Sequence, residues 1–89
     1  GYKKAITLDV LNLRSRPFLK SPRIQYETVN GQKIYSLKKD FVIRVLARSV
    51  DKVAVEEWNN YWYYVEINNF PVSIIYAWVY GEFIKFSDQ

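Results

Sequence analysis

Apolar and polar residues alternate with a period of two over much of the chain, the pattern of β-strands with one buried face. Ile6, Leu8 and Val10 alternate with polar residues, and a second alternation runs over residues 41–48. The phase changes at Leu11, which indicates a bulge or a corner. The pattern therefore predicts five to seven short strands, at about residues 4–14, 24–29, 32–37, 41–48, 61–67, 73–80 and 83–86.

Turn residues separate these strands. Asn30-Gly31 is the strongest hairpin signal, and Asn59-Asn60 and Asn68-Asn69 are further turn candidates. We expect the segments 15–33 and 49–60 to be the most mobile or the most irregular, apart from a possible hairpin around Asn30-Gly31. Within the second segment, residues 51–60 fit a short helix or a strand. Short strands with tight turns predict an all-β fold, a small barrel or a sandwich, with no helix beyond one or two turns.

The aromatic strands 61–67 and 73–80 carry the candidate site. Glu66 should face water and the small Ala77 should face the interior, so period two assigns every other residue to a side. The two strands are joined by a short connection and should pair in an antiparallel manner. The residues predicted to face inward are Tyr63, Val65, Ile67, Ile75, Ala77 and Val79. The residues predicted to face outward are Trp62, Tyr64, Tyr76, Trp78 and Tyr80.

Two interpretations of the outward set stay open. Cross-strand aromatic pairs stabilise a small sheet without any ligand. Contiguous exposed apolar patches, by contrast, usually mark interaction sites. We take the outward aromatic residues as candidate ligand-binding residues.

Composition narrows the possible chemistry. Hydrophobic residues make up 49% of the 89-residue chain, which indicates one folded domain, and neither Cys nor His is present. Disulfides, thiol nucleophiles, Cys/His zinc sites and imidazole catalysis are therefore excluded. Neither a glycine-rich phosphate loop nor a metal-binding carboxylate spacing occurs. We expect a non-enzyme without a catalytic residue, metal or cofactor.

Charge is distributed unevenly, with +8 over residues 1–52 and −4 over residues 53–89. The first long loop contains a basic cluster, Arg14, Arg16, Lys20 and Arg23. These side chains are either solvated without a partner or attract an acidic partner electrostatically. Arg14 and Arg16 therefore join the candidate ligand-binding residues. The longest uncharged apolar run, residues 74–80, is far short of the ~20 residues of a membrane span, so this segment should not insert into a membrane. Because Gly1 replaces an initiator Met, we expect a fragment of a longer protein.

Four sequence blocks resemble the bacterial SH3-like (SH3b) domain family over about residues 5–86. Residues 11–17 (LNLRSRP) resemble its L-N-V-R-x-G-P signature, and residues 34–40 (IYSLKKD) resemble the block that leads into its central strand. Residues 62–65 (WYYV) resemble W-Y-x-V, and residues 77–79 (AWV), followed by Phe83-Ile84, resemble the closing G-W-V block. Arg16, Asp40 and Ala77 stand where the family usually has Gly.

The resemblance implies an open SH3-like barrel of five or six strands, spanning residues 1–89 as a single domain with elaborated loops. It further implies a binding module of an exported or cell-envelope bacterial protein, in an extracytoplasmic compartment. Its ligand would be a peptidoglycan peptide or a protein partner, with Trp62 and Trp78 near the groove.

Two alternatives remain beside this interpretation. Aromatic residues near a basic cluster also suit single-stranded nucleic acid, although nucleic acid is the less expected partner. A structural domain that associates with itself would have no other ligand.

Overall fold

The computed structural model describes residues 2–27, 30–68 and 74–87 and confirms the all-β prediction. Among these residues the only helical segment is the 3₁₀ turn Gly81–Phe83. None of their helices is long and apolar enough to cross a membrane. The strands are β1 (Lys3–Thr7), β2 (Leu11–Asn12), β3 (Tyr26–Glu27), β4 (Lys33–Ile34), β5 (Ser36–Leu37), β6 (Val42–Arg48), β7 (Val53–Val55), β8 (Trp58–Asn60), β9 (Trp62–Asn68), β10 (Ile74–Tyr80) and β11 (Ile84–Phe86).

The main sheet is antiparallel and has five strands in the order β10-β9-β6-β1-β11. Three two-stranded pairs, β2–β5, β3–β4 and β7–β8, complete the described architecture. The predicted strands 41–48, 61–67 and 83–86 agree with β6, β9 and β11 to within a residue. The strand predicted over 4–14 is instead two strands, and the phase change at Leu11 marks the start of the second.

One face of the main sheet carries the larger core. The inward predictions for Val65, Ile67, Ala77 and Val79 are confirmed, since all four are buried. Tyr63 and Ile75 lie on the same face and are half-buried against that core. The remaining buried members come from the other three strands of the main sheet, from the short pairs and from the residue that follows β2, namely Ala5, Leu11, Leu13, Tyr26, Leu37, Ile43, Val45 and Ile84.

Two turn predictions have different outcomes. Gly31 has φ of 82° between the antiparallel strands β3 and β4, which confirms the hairpin expected there. The turn predicted at Asn59-Asn60 is wrong, because both residues belong to β8. The start of the predicted strand at residue 73 and the Asn68-Asn69 turn extend outside the described residues.

The segment 49–60 is not the irregular loop that was predicted. It contains the hairpin β7–β8, in which Val53, Ala54 and Val55 pair with Asn60, Asn59 and Trp58. Its two-residue turn, Glu56-Glu57, is made possible by a left-handed Glu56 with φ of 53°. This hairpin decides which of the candidate aromatic residues reach the surface.

Candidate functional site

The cross-strand register of β9 and β10 places the five candidate aromatic residues on one face. Tyr80 pairs with Trp62 and Trp78 pairs with Tyr64, while Tyr76 lies opposite Glu66. This is the face opposite the larger core, as the alternation predicts. The prediction of a shared face is therefore correct, but the prediction that this whole face is exposed is not.

Trp62 and Tyr80 are buried, with 2% and 5% of their surface exposed. Together with Val55 they form a second, smaller core, against which Trp58, Phe83 and further half-buried residues pack. The hairpin β7–β8 and the 3₁₀ turn cover this end of the sheet. The prediction that Trp62 and Tyr80 belong to an exposed aromatic surface is thus wrong. Alternation along a strand gives the face on which a side chain lies, but it does not show whether another part of the chain covers that face.

The hydroxyl of Tyr80 joins the two strands of the covering hairpin. It donates a hydrogen bond to the Val53 carbonyl at 2.5 Å and accepts one from the Asn60 backbone N–H at 2.9 Å. Val53 and Asn60 are the residues that face each other at the open end of β7–β8. Tyr80 therefore anchors the hairpin onto the sheet.

Tyr80→Phe should loosen this hairpin without unfolding the domain. The substitution keeps the ring but leaves the Asn60 N–H and the Val53 carbonyl without this partner, which should cost about 1–3 kcal/mol for each group that water does not reach. Amide exchange of Asn60 should accelerate while that of Val65, in the larger core, changes only with global stability. Unchanged exchange at Asn60 would contradict the anchoring role.

Burial of Trp62 serves packing rather than side-chain hydrogen bonding. Its ring lies edge-on to Tyr80 with centroids 5.2 Å apart, and its Nε1 has no hydrogen-bond partner among the described residues. Its backbone is held in place, since the Trp62 N–H donates to Ser49 Oγ at 3.1 Å and the Trp62 carbonyl accepts from the Ser49 N–H at 2.7 Å. The ring volume is thus what this residue contributes to the second core.

The rest of the outward set forms an aromatic ladder, defined as Tyr64, Tyr76 and Trp78. Tyr64 stacks on Tyr76 with the ring planes 14° apart and centroids 6.0 Å apart. On its other side Tyr64 contacts Trp78, with centroids 5.2 Å apart. Tyr76 is 45% exposed, whereas Tyr64 and Trp78 are half-buried. Only these three of the five aromatic residues present surface to a large ligand.

A polar group fixes the outer end of the ladder. The Tyr76 hydroxyl donates to Glu66 Oε2 at 3.1 Å, and Arg44 Nη1 lies 3.3 Å from Glu66 Oε1. The hydrogen bond to the Glu66 carboxylate, followed by its negative charge, raises the pKa of Tyr76 above its ordinary value of 10.0. The Glu66 carboxylate therefore favours the neutral phenol, the form that donates this hydrogen bond.

Glu66→Gln should lower the pKa of Tyr76 toward that of an unperturbed tyrosine. A folded-state pKa above the unfolded value stabilises the fold at lower pH, and this contribution is lost as pH rises through the folded-state pKa. The stabilisation by the Tyr76–Glu66 pair should thus disappear only in alkaline solution, above pH ~10. Spectrophotometric titration of tyrosinate in the parent and in Glu66→Gln, each with Tyr76→Phe as the reference, measures the shift. Identical titration of Tyr76 in both proteins would contradict the coupling.

Arg14 is placed beside the ladder by its backbone. Its N–H donates to the Trp78 carbonyl at 3.0 Å, and its carbonyl accepts from the Trp78 N–H at 2.8 Å. The half-buried side chain donates from Nη1 to the Ser21 carbonyl at 3.0 Å. Burial and, secondly, the neighbouring Arg23 lower the pKa of Arg14. Among the described residues no carboxylate lies within ion-pair distance of its guanidinium.

A small cavity brings three of the predicted site residues together. Arg14, Trp62 and Tyr80 line a volume of about 180 Å³ between the first loop, the hairpin and the 3₁₀ turn. Sequence reasoning missed Leu19, Val55 and Phe83, which also line it. For Leu19, the one signal in the sequence is an apolar side chain within a polar loop. We call this volume the Arg14 cavity.

Arg16 does not join this cavity. Its side chain is exposed in the first loop and is absent from the lining, although Arg14 is only two residues away. The Arg16 carbonyl closes the loop instead, because it accepts from the Phe18 N–H at 2.9 Å and from Ser21 Oγ at 2.9 Å. The structure therefore separates the two arginines that the sequence grouped.

Comparisons with known proteins add no relative to this geometry. No family model, curated protein or solved structure matches the chain. Within residues 2–27, 30–68 and 74–87, no group of three or more acidic, Cys or His residues is placed to hold a metal ion. The chemistry available at the site is a guanidinium beside apolar walls, next to an aromatic ladder.

Proposed function

We propose that the protein is a non-catalytic binding module that recognises a carboxylate-bearing peptide through the Arg14 cavity and the aromatic ladder. The observation that carries the proposal is the presence of the half-buried residue Arg14 in the lining of a largely apolar cavity whose other lining residues are all uncharged. The ligand class that fits is a peptide with a carboxylate next to a small apolar side chain. The peptide stems of peptidoglycan have this chemistry, in agreement with the resemblance to SH3-like domains.

Electrostatics favours an anion at this position. The lowered pKa of Arg14 reflects the cost of keeping a cation in partly desolvated surroundings beside Arg23. The contact between its Nη1 and the Ser21 carbonyl offsets only part of this cost, since that acceptor is neutral. A carboxylate would supply charge-assisted hydrogen bonds, which are about twice as strong as neutral ones.

The size of the cavity limits what enters it. Sites for drug-sized ligands enclose roughly 300–1,000 Å³, and the Arg14 cavity encloses about 180 Å³. One small side chain with its carboxylate fits this volume, while the rest of a peptide must lie outside. Trp78 packs against the second core and contacts Tyr64, so the ladder continues from the cavity along the sheet. Cavity and ladder together therefore suit an extended peptide.

The SH3-like barrel and an extracytoplasmic, cell-envelope location belong to the same proposal. The first family-like block begins at β2, the second covers the end of β4 and all of β5 before β6, and the last two lie within the paired strands β9 and β10. Asp40, which stands where the family usually has Gly, has φ of 66°. Gly adopts a positive φ more readily than other residues, so the positive φ of Asp40 agrees with the Gly of the family pattern. This agreement supports the proposed fold.

Arg14→Gln should separate binding from folding. Loss of a charge-assisted contact of about 1.5–3 kcal/mol should weaken the affinity for muropeptides from digested peptidoglycan roughly ten- to 150-fold. Arg16→Gln removes the same charge from the same loop outside the cavity and should bind like the parent. Titration calorimetry with the muropeptides measures the affinities, and circular dichroism checks the fold. Equal affinities of Arg14→Gln and Arg16→Gln, or an absence of muropeptide binding by the parent, would refute the proposal.

A further inference from the structure

A second concave surface, which we call the basic groove, lies where β1 begins and β6 ends. It encloses about 570 Å³, and Lys3, Arg48, Tyr2, Tyr63 and Phe86 line it together with the end of β6. It shares no lining residue with the Arg14 cavity. None of its lining residues is acidic.

A β-bulge in β6 forms part of the lining of this groove. Val45 pairs with Val65, but Ala47, not Leu46, pairs with Tyr64, and Arg48 then pairs with Tyr63. The extra residue reverses the alternation, so that Arg48 lies on the same side of the sheet as Tyr63. Lys3 pairs with Val45 and points to this side as well. The bulge thus adds a second cation to the rim of the core face.

Aromatic rings hold the cations of the groove and its border. Lys3 Nζ lies 6.0 Å from the centre of the Phe86 ring, which contacts Tyr63 edge-on with centroids 5.3 Å apart. The Arg48 guanidinium lies 4.0 Å from the centre of the Tyr61 ring. Lys52 Nζ lies 5.7 Å from the same Tyr61 ring and adds a cation beside Arg48. Arg44, 4.4 Å from the Tyr2 ring, does not belong to the groove, because it pairs with Glu66 on the other face of the sheet.

We infer that the basic groove binds single-stranded nucleic acid. Its rings offer flat apolar surfaces on which bases can stack, and its cations can contact successive phosphates. Aromatic rings stack on any base, so binding in this groove does not require hydrogen bonds that recognise particular bases. An acidic peptide could also pair with these cations. A single-stranded nucleic acid in addition carries a planar base next to each negative charge, and the base can stack on a ring of the groove. This activity goes beyond peptide binding at the Arg14 cavity and is independent of it.

A fluorescently labelled oligothymidylate of about ten nucleotides, within the usual site size of ~4–16, is the probe. Fluorescence anisotropy should detect binding to the parent, weakening as salt increases. The double variant Lys3→Gln, Arg48→Gln should reduce the slope of log affinity against log salt by about 1.4, since each phosphate contact on a single strand contributes ~0.7. Lys20→Gln, Lys39→Gln removes the same charge from exposed positions outside the groove lining and should leave the slope unchanged.

Base stacking is tested separately from charge. Tyr2→Ala, at a 46%-exposed position, should weaken binding about fivefold or more without a change of salt slope. An abasic oligonucleotide of the same length should bind the parent much more weakly. Equal affinity for the abasic strand, equal losses in the two double variants, or no binding by the parent would overturn the inference. Muropeptide binding should be unaffected by Lys3→Gln, Arg48→Gln, which keeps this test distinct from that of the Arg14 cavity.

Discussion

Trp62→Ala should destabilise the domain strongly. Trp62 is 2% exposed, and its ring is the largest in the second core. Truncation of a buried Trp to Ala costs about 3–5 kcal/mol, because apolar burial is lost and a cavity remains. Small domains have a total free energy of unfolding of about 5–15 kcal/mol. The substitution should therefore remove a large fraction of the stability.

Thermal unfolding followed by circular dichroism measures this effect. A loss of 3 kcal/mol should lower the melting temperature of a domain of this size by about 12 °C or more. Tyr76→Ala is the matched control, since Tyr76 is a large ring on the same face that is 45% exposed. It should cost only about 1 kcal/mol. Similar melting temperatures of the two variants would show that the second core does not stabilise the fold.

The alternation in β9 and β10 was enough to predict which side of the sheet each residue occupies. Val65 and Val79 are buried on one side, and Tyr64 and Tyr76 lie on the other. Side-chain direction has a strict period of two, so it is a local property of a strand. Exposure depends instead on residues distant in sequence that pack over the strand. Trp62 therefore lies on the predicted side of the sheet but is buried.

The covering hairpin had no recognisable turn signal. Two-residue hairpin turns are usually marked by Asn-Gly or Asp-Gly, because these residues adopt positive φ readily. Here the turn is Glu56-Glu57, and Glu56 has a positive φ of 53°. Pairing of β7 with β8 and their packing over Trp62 outweigh the local preference of Glu. Sequence patterns alone could offer only a short helix or a strand for this segment.

The two arginines of the candidate site show where local reasoning ends. Arg14 and Arg16 lie in one basic cluster of the sequence, yet only Arg14 lines the cavity. The difference arises from two backbone hydrogen bonds between Arg14 and Trp78, which are 64 positions apart by their residue numbers. A contact across that separation has no signature in the neighbourhood of either residue. The basic groove was missed for a similar reason, since a bulge reverses the side on which Arg48 lies.

Thr7 lies in the interior, although the alternation of Ile6, Leu8 and Val10 with polar residues predicts the reverse; Leu8 and Val10 are instead exposed. It is fully buried, with 0% of its surface exposed. Its hydroxyl donates to the Lys38 carbonyl at 2.7 Å and accepts from the Phe41 N–H at 2.8 Å. Its backbone also accepts from the Asp40 N–H at 2.9 Å and donates to the Phe41 carbonyl at 3.0 Å. Thr7 thereby holds the turn in which Asp40 has its positive φ.

Thr7→Val should cost about 2–6 kcal/mol although it preserves the shape of the side chain. Each partly buried backbone group left without its partner costs about 1–3 kcal/mol, and this substitution leaves two, at Lys38 and Phe41. Thr7→Ser keeps the hydroxyl and loses only one methyl group, which should cost about 1 kcal/mol. Chemical denaturation of the three proteins gives the differences. A Thr7→Val protein as stable as Thr7→Ser would show that the methyl contacts, rather than the two hydrogen bonds, make Thr7 important to the fold.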